Sequence, residues 1–395
     1  MAALGADASE DPWRGSDGMR TLNTVLQVPG TGLTLMPSEN LTVGVVGGRD
    51  PRELGGVESV VYNIAAYSSD RYEFVQYCAG EEDRVEESDI GTVRTFADRF
   101  GPVRTKYLSS LRAAYDLRRR EVDLVHGHGD NALGLSVFRP SEPYVVTFHG
   151  TIAAMYANVF DDRGVAREVL SRIRPLPELA AARQCDVAVA CSTNVKEELV
   201  SYYGIDPGKI VVIHNGVDTE RFSPVPVEDA RRRLALDPDR RYALWVGTDP
   251  RRKGLDTART AVGLAESDVR LLVAGVDGED SADVRYLGRV PDDRMSALYS
   301  AVDALLFPTL YEGFGLVILE SISCGTPVVT SPEVPRLETG VYYNEERTTE
   351  RYARILDDLL AEPPDRAAIR EYALEYDWRN VATEYAEVYE RAVRG

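Results

Sequence analysis

The chain has 395 residues, of which 44% are hydrophobic, so it is long enough to bury two ordinary domain cores. Its formal net charge of -19 argues against DNA or RNA as a partner, because phosphate contacts need a basic surface. No apolar run approaches the ~20 residues of a membrane-spanning helix. The composition therefore predicts a cytoplasmic protein whose ligands are not nucleic acids.

The charged residues and cysteines indicate a halophilic, intracellular protein. Of the 45 basic residues only four are lysines, against 64 acidic residues. Carboxylates keep a surface hydrated in a salt-rich cytoplasm, although a GC-rich genome alone would also explain the arginine share. The four cysteines have no paired spacing, so we expect small buried thiols and no disulfides.

The chain begins with residues 1–40, which lack the basic start and apolar core of a secretory signal and predict a poorly ordered extension. From Leu41, short apolar runs alternate with helical periodicity, the pattern of βαβ units around a parallel sheet. Leu41–Val46 predicts the first strand and Gly47–Gly56 a glycine-rich loop. Further strands of the first domain are predicted at Phe74–Tyr77, Asp123–His126, Tyr144–Phe148, Val187–Ala190 and Ile210–Ile213.

A second α/β series follows a polar, proline-bearing passage from Arg221 to Arg241. Its strands are predicted at Tyr242–Val246, Leu271–Ala274, Ala304–Phe307 and Pro327–Thr330. We therefore predict one domain over residues 41–218 and another over residues 219–377. Ligands bind beyond the carboxyl ends of the strands in such sheets, so the site is expected in the cleft between the domains.

The segment from Pro308 to Thr330 is the richest in candidate binding residues. Gly313 and Gly315 allow the backbone to approach a ligand, and a helix predicted at Leu316–Cys324 presents its N-terminal amides to a phosphate. Glu312 before this helix and Glu320 inside it have the chemistry to bind vicinal hydroxyls. Taken singly, the two glutamates would be ordinary loop and surface carboxylates.

This segment resembles the signature of family 4 retaining glycosyltransferases, through Glu312-Gly-Phe-Gly-Leu, Glu320 and Gly325-Thr-Pro-Val. Other segments follow in the order expected for that family: Gly55-Gly56-Val57-Glu58, Asp123-Leu-Val-His126, Thr147-Phe-His-Gly150, Asn215-Gly-Val-Asp218, Trp245-Val-Gly247, Lys253-Gly254 and Trp378-Arg-Asn-Val-Ala. The resemblance covers about residues 41 to 395. It implies the GT-B fold, an α/β fold in which two Rossmann-like domains with parallel sheets face each other across a cleft. It also implies an acceptor in the first domain, a nucleotide-sugar donor in the second, and a final helix within 378–395 that crosses back to the first.

The resemblance implies a role for each candidate side chain. Glu320 would bind the ribose hydroxyls and Glu312 the transferred sugar, while His149 would reach the donor sugar. Arg252 and Lys253 would meet the diphosphate, although a charged loop and a structural histidine are the alternatives for these positions. The remaining residues predicted to bind the donor are Gly55, Gly56, Thr248, Gly313, Phe314, Gly315, Leu316 and Val317.

The sequence also departs from the family pattern. Thr248 follows Val246-Gly247 where the family often has an arginine, and either Arg251 or Arg252 would supply the charge. After the strand predicted at Pro327–Thr330, Pro332–Glu338 replaces the usual Gly-Gly and Pro-Glu segment.

No metal ion or other cofactor is predicted. A His-x-His such as His126-Gly-His128 begins some metal sites, but His149 and His214 are the only other histidines and each belongs to a transferase motif. The one Asp-x-Asp sequence, Asp237-Pro-Asp239, lies in the polar passage with no apolar strand before it.

The sequence thus predicts a metal-independent, retaining transfer of a sugar from a nucleotide-diphosphate donor to a hydroxyl of a glycan, lipid-linked or small-molecule acceptor. The alternatives are another GT-B activity, such as a nucleotide-sugar epimerase or phosphorylase, and a noncatalytic nucleotide-sugar-binding subunit. A peripheral contact with the cytoplasmic face of a membrane is a further hypothesis, against the alternative of a surface helix whose apolar stripe packs on its sheet. It is based on an apolar stripe formed by Tyr107, Leu108, Leu111 and Tyr115. The basic residues around this stripe are Arg104, Lys106, Arg112, Arg118, Arg119 and Arg120.

Overall fold

The computed structural model describes residues 40–53, 55–97, 102–159 and 165–395, with the backbone alone at 102–106 and 165–167. The extension expected over residues 1–40 lies, apart from Asn40, outside the described residues. In the described part of the chain, no helix combines the length and apolarity that a bilayer crossing requires.

The first domain is a sheet with helices packed around it. Its strands are β1 (Leu41–Arg49), β2 (Tyr72–Gly80), β3 (Arg84–Ser88), β4 (Gly91–Ala97), β5 (Leu124–His128), β6 (Tyr144–Phe148), β7 (Val187–Ala190) and β8 (Ile210–Val212). Its helices are α1 (Gly56–Ala66), α2 (Pro102–Leu117), α3 (Leu133–Val137), α4 (Ile152–Val159), α5 (Val165–Ile173), α6 (Leu176–Gln184) and α7 (Thr193–Tyr203). The strand order is β3-β4-β2-β1-β5-β6-β7-β8, and neighbouring strands are parallel except for β3 and β4.

The second domain repeats this architecture. Its helices are α8 (Val227–Arg233), α9 (Leu255–Leu264), α10 (Asp292–Ala301), α11 (Leu316–Ser323), α12 (Thr349–Ala361) and α13 (Arg366–Ala373). One more helix, α14 (Trp378–Arg394), follows them in the sequence. Its strands are β9 (Arg241–Val246), β10 (Val269–Ala274), β11 (Val284–Gly288), β12 (Ala304–Phe307), β13 (Val328–Thr330) and β14 (Val341–Tyr343). They pair in parallel in the order β11-β10-β9-β12-β13-β14. The predicted α/β class with two parallel sheets is confirmed.

Two local predictions need correction. The prediction of a loop from Gly47 to Gly56 is wrong for residues 47–49, because β1 continues to Arg49 alongside β2. The polar passage from Arg221 to Arg241 is not a plain linker, because it contains α8. Arg231 of this helix is buried, donates from Nε to the Ala301 carbonyl at 2.9 Å and pairs with Asp303 at 3.0 Å.

The chain passes between the domains twice, and the two passages are bonded side by side. The amide of Val217 donates to the Tyr376 carbonyl at 2.8 Å, and the amide of Trp378 donates to the Val217 carbonyl at 3.3 Å. Thr219 also donates its hydroxyl proton to the carboxylate of Asp377. These bonds join residues near 217 to the start of α14.

Helix α14 packs into the core of the first domain. Trp378, Val381, Tyr385 and Tyr389 are buried in one cluster with apolar residues of β1, β2, β5 and α1. The second domain has its own core, formed by residues of its central strands with α9 and α12. The last helix therefore belongs by packing to the first domain, although it follows the second in sequence.

Candidate active site

The loop between β12 and α11 lies directly against the first domain. A Cβ atom at Gly313 would lie 2.0 Å from the His149 carbonyl oxygen, so the two backbones are in contact at this point. The hydroxyl of Ser192, just after β7, donates to the Gly313 carbonyl at 2.7 Å. Gly315 has a φ of +88°, which lets the chain turn into α11 without the steric cost that a side chain would bring.

Glu312, Arg252 and Lys253 form one charged cluster at this loop. Arg252 Nη1 donates to Glu312 Oε1 at 2.7 Å and to the Tyr311 carbonyl at 3.0 Å. Lys253 Nζ lies 3.9 Å from the same Glu312 oxygen. The structure thus brings together three side chains that the sequence analysis assigned to the sugar and the diphosphate.

The side chain of Lys253 is held in place by the end of β9 and by β12. A Cβ atom at Gly247 would lie only 2.4 Å from Lys253 Cδ, so the lysine side chain passes directly over this glycine. Lys253 Nζ is 5.3 Å from the centre of the Phe307 ring. Burial lowers the pKa of Lys253, and the charge of Glu312 opposes this shift. A poorly hydrated ammonium group is well suited to a polyanionic ligand.

Glu320 lies on α11 and is bonded to Tyr299 of α10. The Tyr299 hydroxyl donates to Glu320 Oε2 at 2.6 Å, and Tyr299 itself is buried. Burial raises the pKa of Glu320, while this hydrogen bond and the charges of Arg221 and Lys253 oppose the rise. Tyr299, which fixes one oxygen of the carboxylate, lies outside the motifs from which the site was predicted.

His149, at the end of β6, is paired with His128, at the end of β5. His149 Nε2 and His128 Nδ1 are 3.0 Å apart, and the two rings are stacked with an interplanar angle of 11°. Burial lowers the pKa of His149 to about 4 and also lowers that of His128. Both rings are therefore neutral at pH 7, and one donates to the other.

His126 has a different environment from these two histidines. Its ring nitrogens are bonded to the Tyr389 hydroxyl at 2.7 Å and to the Thr147 hydroxyl at 2.8 Å. These contacts tie α14 to β5 and β6. Among the described residues, no group of three or more His, Cys, Asp or Glu side chains is arranged to hold a metal ion.

The other predicted donor-binding residues lie in three places. Gly55 and Gly56 form the N-terminal end of α1, where a Cβ at Gly56 would be 4.0 Å from Leu316 of α11. Phe314 is buried with its ring centre 5.5 Å from that of His214. Val317 is half-buried in the first turn of α11, whereas Thr248 is exposed at the end of β9.

Two families of known proteins match the sequence of this chain, one over each domain. The pattern of Glycosyltransferase Family 4 matches residues 54–221, and that of Glycosyl transferases group 1 matches residues 226–376. D-inositol 3-phosphate glycosyltransferase of Nocardiopsis dassonvillei is 31% identical over 316 residues, which cover 71% of this chain and 72% of that protein.

Two solved structures show the same fold at lower identity. Sucrose-phosphate synthase from Thermosynechococcus elongatus superimposes with a TM-score of 0.75 at 20% identity, over 89% of this chain and 99% of that one. HepE from Anabaena, in complex with UDP and glucose, has a TM-score of 0.67 at 16% identity, over 89% of this chain and 100% of that one. The fold and the sequence matches define a glycosyltransferase of the GT-B type. The chain belongs to family 4 of these enzymes.

Proposed function

We propose that this glycosyltransferase takes its sugar from a nucleoside-diphosphate donor, transfers it to a hydroxyl group and retains the anomeric configuration. The observation that carries the proposal is the cluster of Glu312, Arg252 and Lys253 beside the N-terminus of α11, against His149 of the first domain. Two cations and a helix N-terminus suit a diphosphate, and carboxylates suit sugar hydroxyls. HepE, which shares the fold, binds UDP and glucose, and this supports the same class of donor.

In the proposed reaction the bond between the anomeric carbon and the diphosphate oxygen breaks while the acceptor oxygen bonds to the same carbon from the same face. The acceptor proton passes to the departing phosphate, so the step balances without a protein nucleophile. Lys253 and Arg252 stabilise the charge that grows on the leaving group. In this scheme these side chains supply the positive charge that metal-dependent transferases take from a cation.

The two glutamates have separate roles in this proposal. Glu320, with one oxygen held by Tyr299, binds the ribose hydroxyls of the nucleotide. Glu312, held by Arg252, binds the transferred sugar. His149 is neutral because burial lowers its pKa to about 4, so it is a hydrogen-bonding partner for the sugar and not a cation.

The acceptor is proposed only as a class: a glycan, a lipid-linked sugar or a small molecule. The names of the similar proteins point to different acceptors, because one acts on inositol 3-phosphate and another is a sucrose-phosphate synthase.

A peripheral membrane contact is part of this proposal. It is supported by Leu108 and Tyr115 of α2, which are 42% and 50% exposed. The helix packs instead through Ala113, Ala114 and Leu117, so the apolar stripe is not fully buried against the sheet.

The donor is tested by thermal unfolding with a panel of nucleoside diphosphates and nucleotide sugars. A ligand at 100 times its dissociation constant stabilises the fold by ~2.7 kcal/mol, so the cognate nucleotide should raise the melting temperature and the others should not. Product analysis with labelled donor then separates the alternatives. An epimerised nucleotide sugar or a phosphorolysis product would replace the transferase proposal, and nucleotide binding without turnover would indicate a noncatalytic subunit.

Substitution of the two glutamates tests their separate roles. Glu320→Ala should weaken the binding of donor and free nucleoside diphosphate alike, by the ~1.5–3 kcal/mol of a hydrogen bond to a charged group. Glu312→Ala should leave nucleoside diphosphate affinity unchanged and reduce transfer. Glu350→Ala, on the exposed face of α12, is the matched control. If Glu312→Ala and Glu320→Ala behaved like this control in folded protein, the loop and helix would not be the donor site.

A further inference from the structure

Tyr311 extends from the second domain into the first. Its hydroxyl accepts from the backbone amide of Thr151 at 2.6 Å and donates to Glu198 Oε2 at 2.8 Å. The side chain is 7% exposed and packs with Ala154 and Val159 of α4. Tyr311 immediately precedes Glu312, so whatever holds Tyr311 also holds the loop that carries the charged cluster.

The site that receives Tyr311 is built entirely by the first domain. Glu198 Oε2 accepts from the Thr151 hydroxyl at 2.8 Å and from the Thr151 amide at 3.1 Å. Glu198 lies on α7 and Thr151 lies between β6 and α4. Two segments of the first domain therefore orient the carboxylate without any contact from Tyr311. The tyrosine hydroxyl supplies the contact from the other domain.

Two glycines allow this close approach of the domains. A Cβ atom at Gly150, which has a φ of +133°, would lie 2.8 Å from the Tyr311 hydroxyl. A Cβ atom at Gly313 would collide with the His149 carbonyl, 2.0 Å away. The segment of Tyr311 to Gly313 is thus held against the segment of His149 to Thr151 by a side chain at one end and by backbone contact at the other.

We propose that Tyr311 and Glu198 are positioning residues for sugar transfer: their hydrogen bond holds the loop of Glu312 and Gly313 on the first domain and keeps this loop against the backbone of His149. This inference rests on the function proposed above. It assigns a task to one hydroxyl group and one carboxylate that do not touch the donor. Their loss should therefore reduce turnover and spare the affinity for free nucleoside diphosphate, which is bound by the second domain.

Substitutions that keep the packing test the hydrogen bond. Tyr311→Phe removes the hydroxyl and keeps the ring, and Glu198→Met removes the carboxylate and keeps a side chain of similar length. Each should lower kcat about tenfold or more with nucleoside diphosphate affinity unchanged, because a hydrogen bond to a charged group is lost. Glu198→Gln, which retains an acceptor oxygen, should restore part of the rate.

The matched controls lie on the exposed side of the same helix. Glu197→Met and Tyr202→Phe change the same residue types on α7 without touching the contact, and should leave kcat unchanged. The double variant Tyr311→Phe with Glu198→Met should lose less rate than the product of the two single losses, because both substitutions remove the hydrogen bond that joins the two residues. Additive losses, or single variants equal to the controls, would overturn the proposal.

A distance measurement tests the contact without any substrate. The four native cysteines are buried, so spin labels attach selectively to Glu53→Cys and Glu279→Cys, which are exposed on loops after the carboxyl ends of β1 and β10. The label-to-label distance distribution should broaden in Tyr311→Phe and in Glu198→Met, and stay narrow in Glu197→Met. An unchanged distribution in both variants would contradict the proposal. If the unsubstituted chain transferred no sugar at all, the proposed function would fail, and these distances would still decide whether Tyr311 holds the domains together.

Discussion

Lys253 is a buried side chain whose ammonium group lies near the carboxylate of Glu312. In the proposed function it also binds the leaving diphosphate. Because the ammonium group is poorly hydrated, it should interact strongly with charge that develops on the diphosphate. Lys253→Ala is therefore expected to lower single-turnover transfer by ~10²–10³-fold, the cost of one transition-state donor. Lys196→Ala, at a half-buried position of α7 in the first domain, should have no effect. An equal rate in Lys253→Ala and in this control would exclude the proposed role.

Glu178 of α6 gives a prediction about pH. It is buried, accepts from the Ile152 amide at 2.8 Å and from the Tyr203 hydroxyl at 2.5 Å, and burial raises its pKa to about 8. Between pH 4.5 and pH 8 the folded chain keeps a proton that the unfolded chain releases. Stability from this group therefore falls as pH rises through that range.

Glu178→Gln removes this titration. The melting temperature of the variant minus that of the unsubstituted chain should rise steadily from about pH 5 to about pH 8. Glu197→Gln, on an exposed face, should give a difference that is constant with pH. A flat difference for Glu178→Gln would show that the carboxyl group is ionised in the folded protein.

Some residues of the proposed site carry a local sequence signal and others do not, for a physical reason. Glu312, Lys253 and His149 lie in local motifs at strand ends, and the topology of parallel sheets then brings strand ends together. Tyr311 and Glu198 have no such signal, because their contact joins positions 113 residues apart. Their roles depend on how the two domains meet, which no local pattern contains.

Among the elements of the first domain, α2 and α5 expose five large apolar side chains between them in the described part of the chain. Val169, Leu170 and Ile173 of α5 are 50%, 48% and 54% exposed, and Leu108 and Tyr115 of α2 are 42% and 50% exposed. Arg118 and Arg119, just after α2, are exposed. The side chains of Arg104 and Lys106, which were part of the sequence hypothesis, lie outside the described residues.

The exposed apolar residues of α2 and α5 are expected to bind anionic membranes. The protein should sediment with vesicles that contain anionic lipid at moderate salt, because apolar insertion and basic side chains act together. Ile173→Asp should abolish sedimentation, whereas Val85→Asp, which adds the same charge at an exposed position of β3, should not. Protein left wholly in the supernatant would refute the membrane proposal, and equal loss in both variants would indicate a charge effect alone.

The strands that the sequence did not predict lie at an edge of a sheet or next to one. The strands β3, β4, β11 and β14 were all missed, and three of them form edges of the sheets. Strand β3 is mostly charged and exposed, and β14 has only three residues. The buried central strands were predicted well, since an apolar run signals burial on both faces, and an edge strand needs no such run.

For the molecule as a whole, the excess of acidic charge predicts a dependence on salt. The net charge of -19 makes the surface carboxylates repel one another, and dissolved ions screen this repulsion. The melting temperature should therefore be higher in molar potassium chloride than in dilute buffer. The same melting temperature in both solutions would contradict the halophilic interpretation.

The packing of α14 has a consequence for the order in which the protein is made. A ribosome that has added residue 218 has synthesised every strand of the first sheet but none of Trp378, Tyr385 and Tyr389, which fill its core. While the second domain is translated, the nascent first domain lacks α14 and its core has an open apolar groove. Its final stability is reached only when the last helix emerges, so the first domain to be synthesised completes its folding last, although nascent domains generally fold in order from the N-terminus.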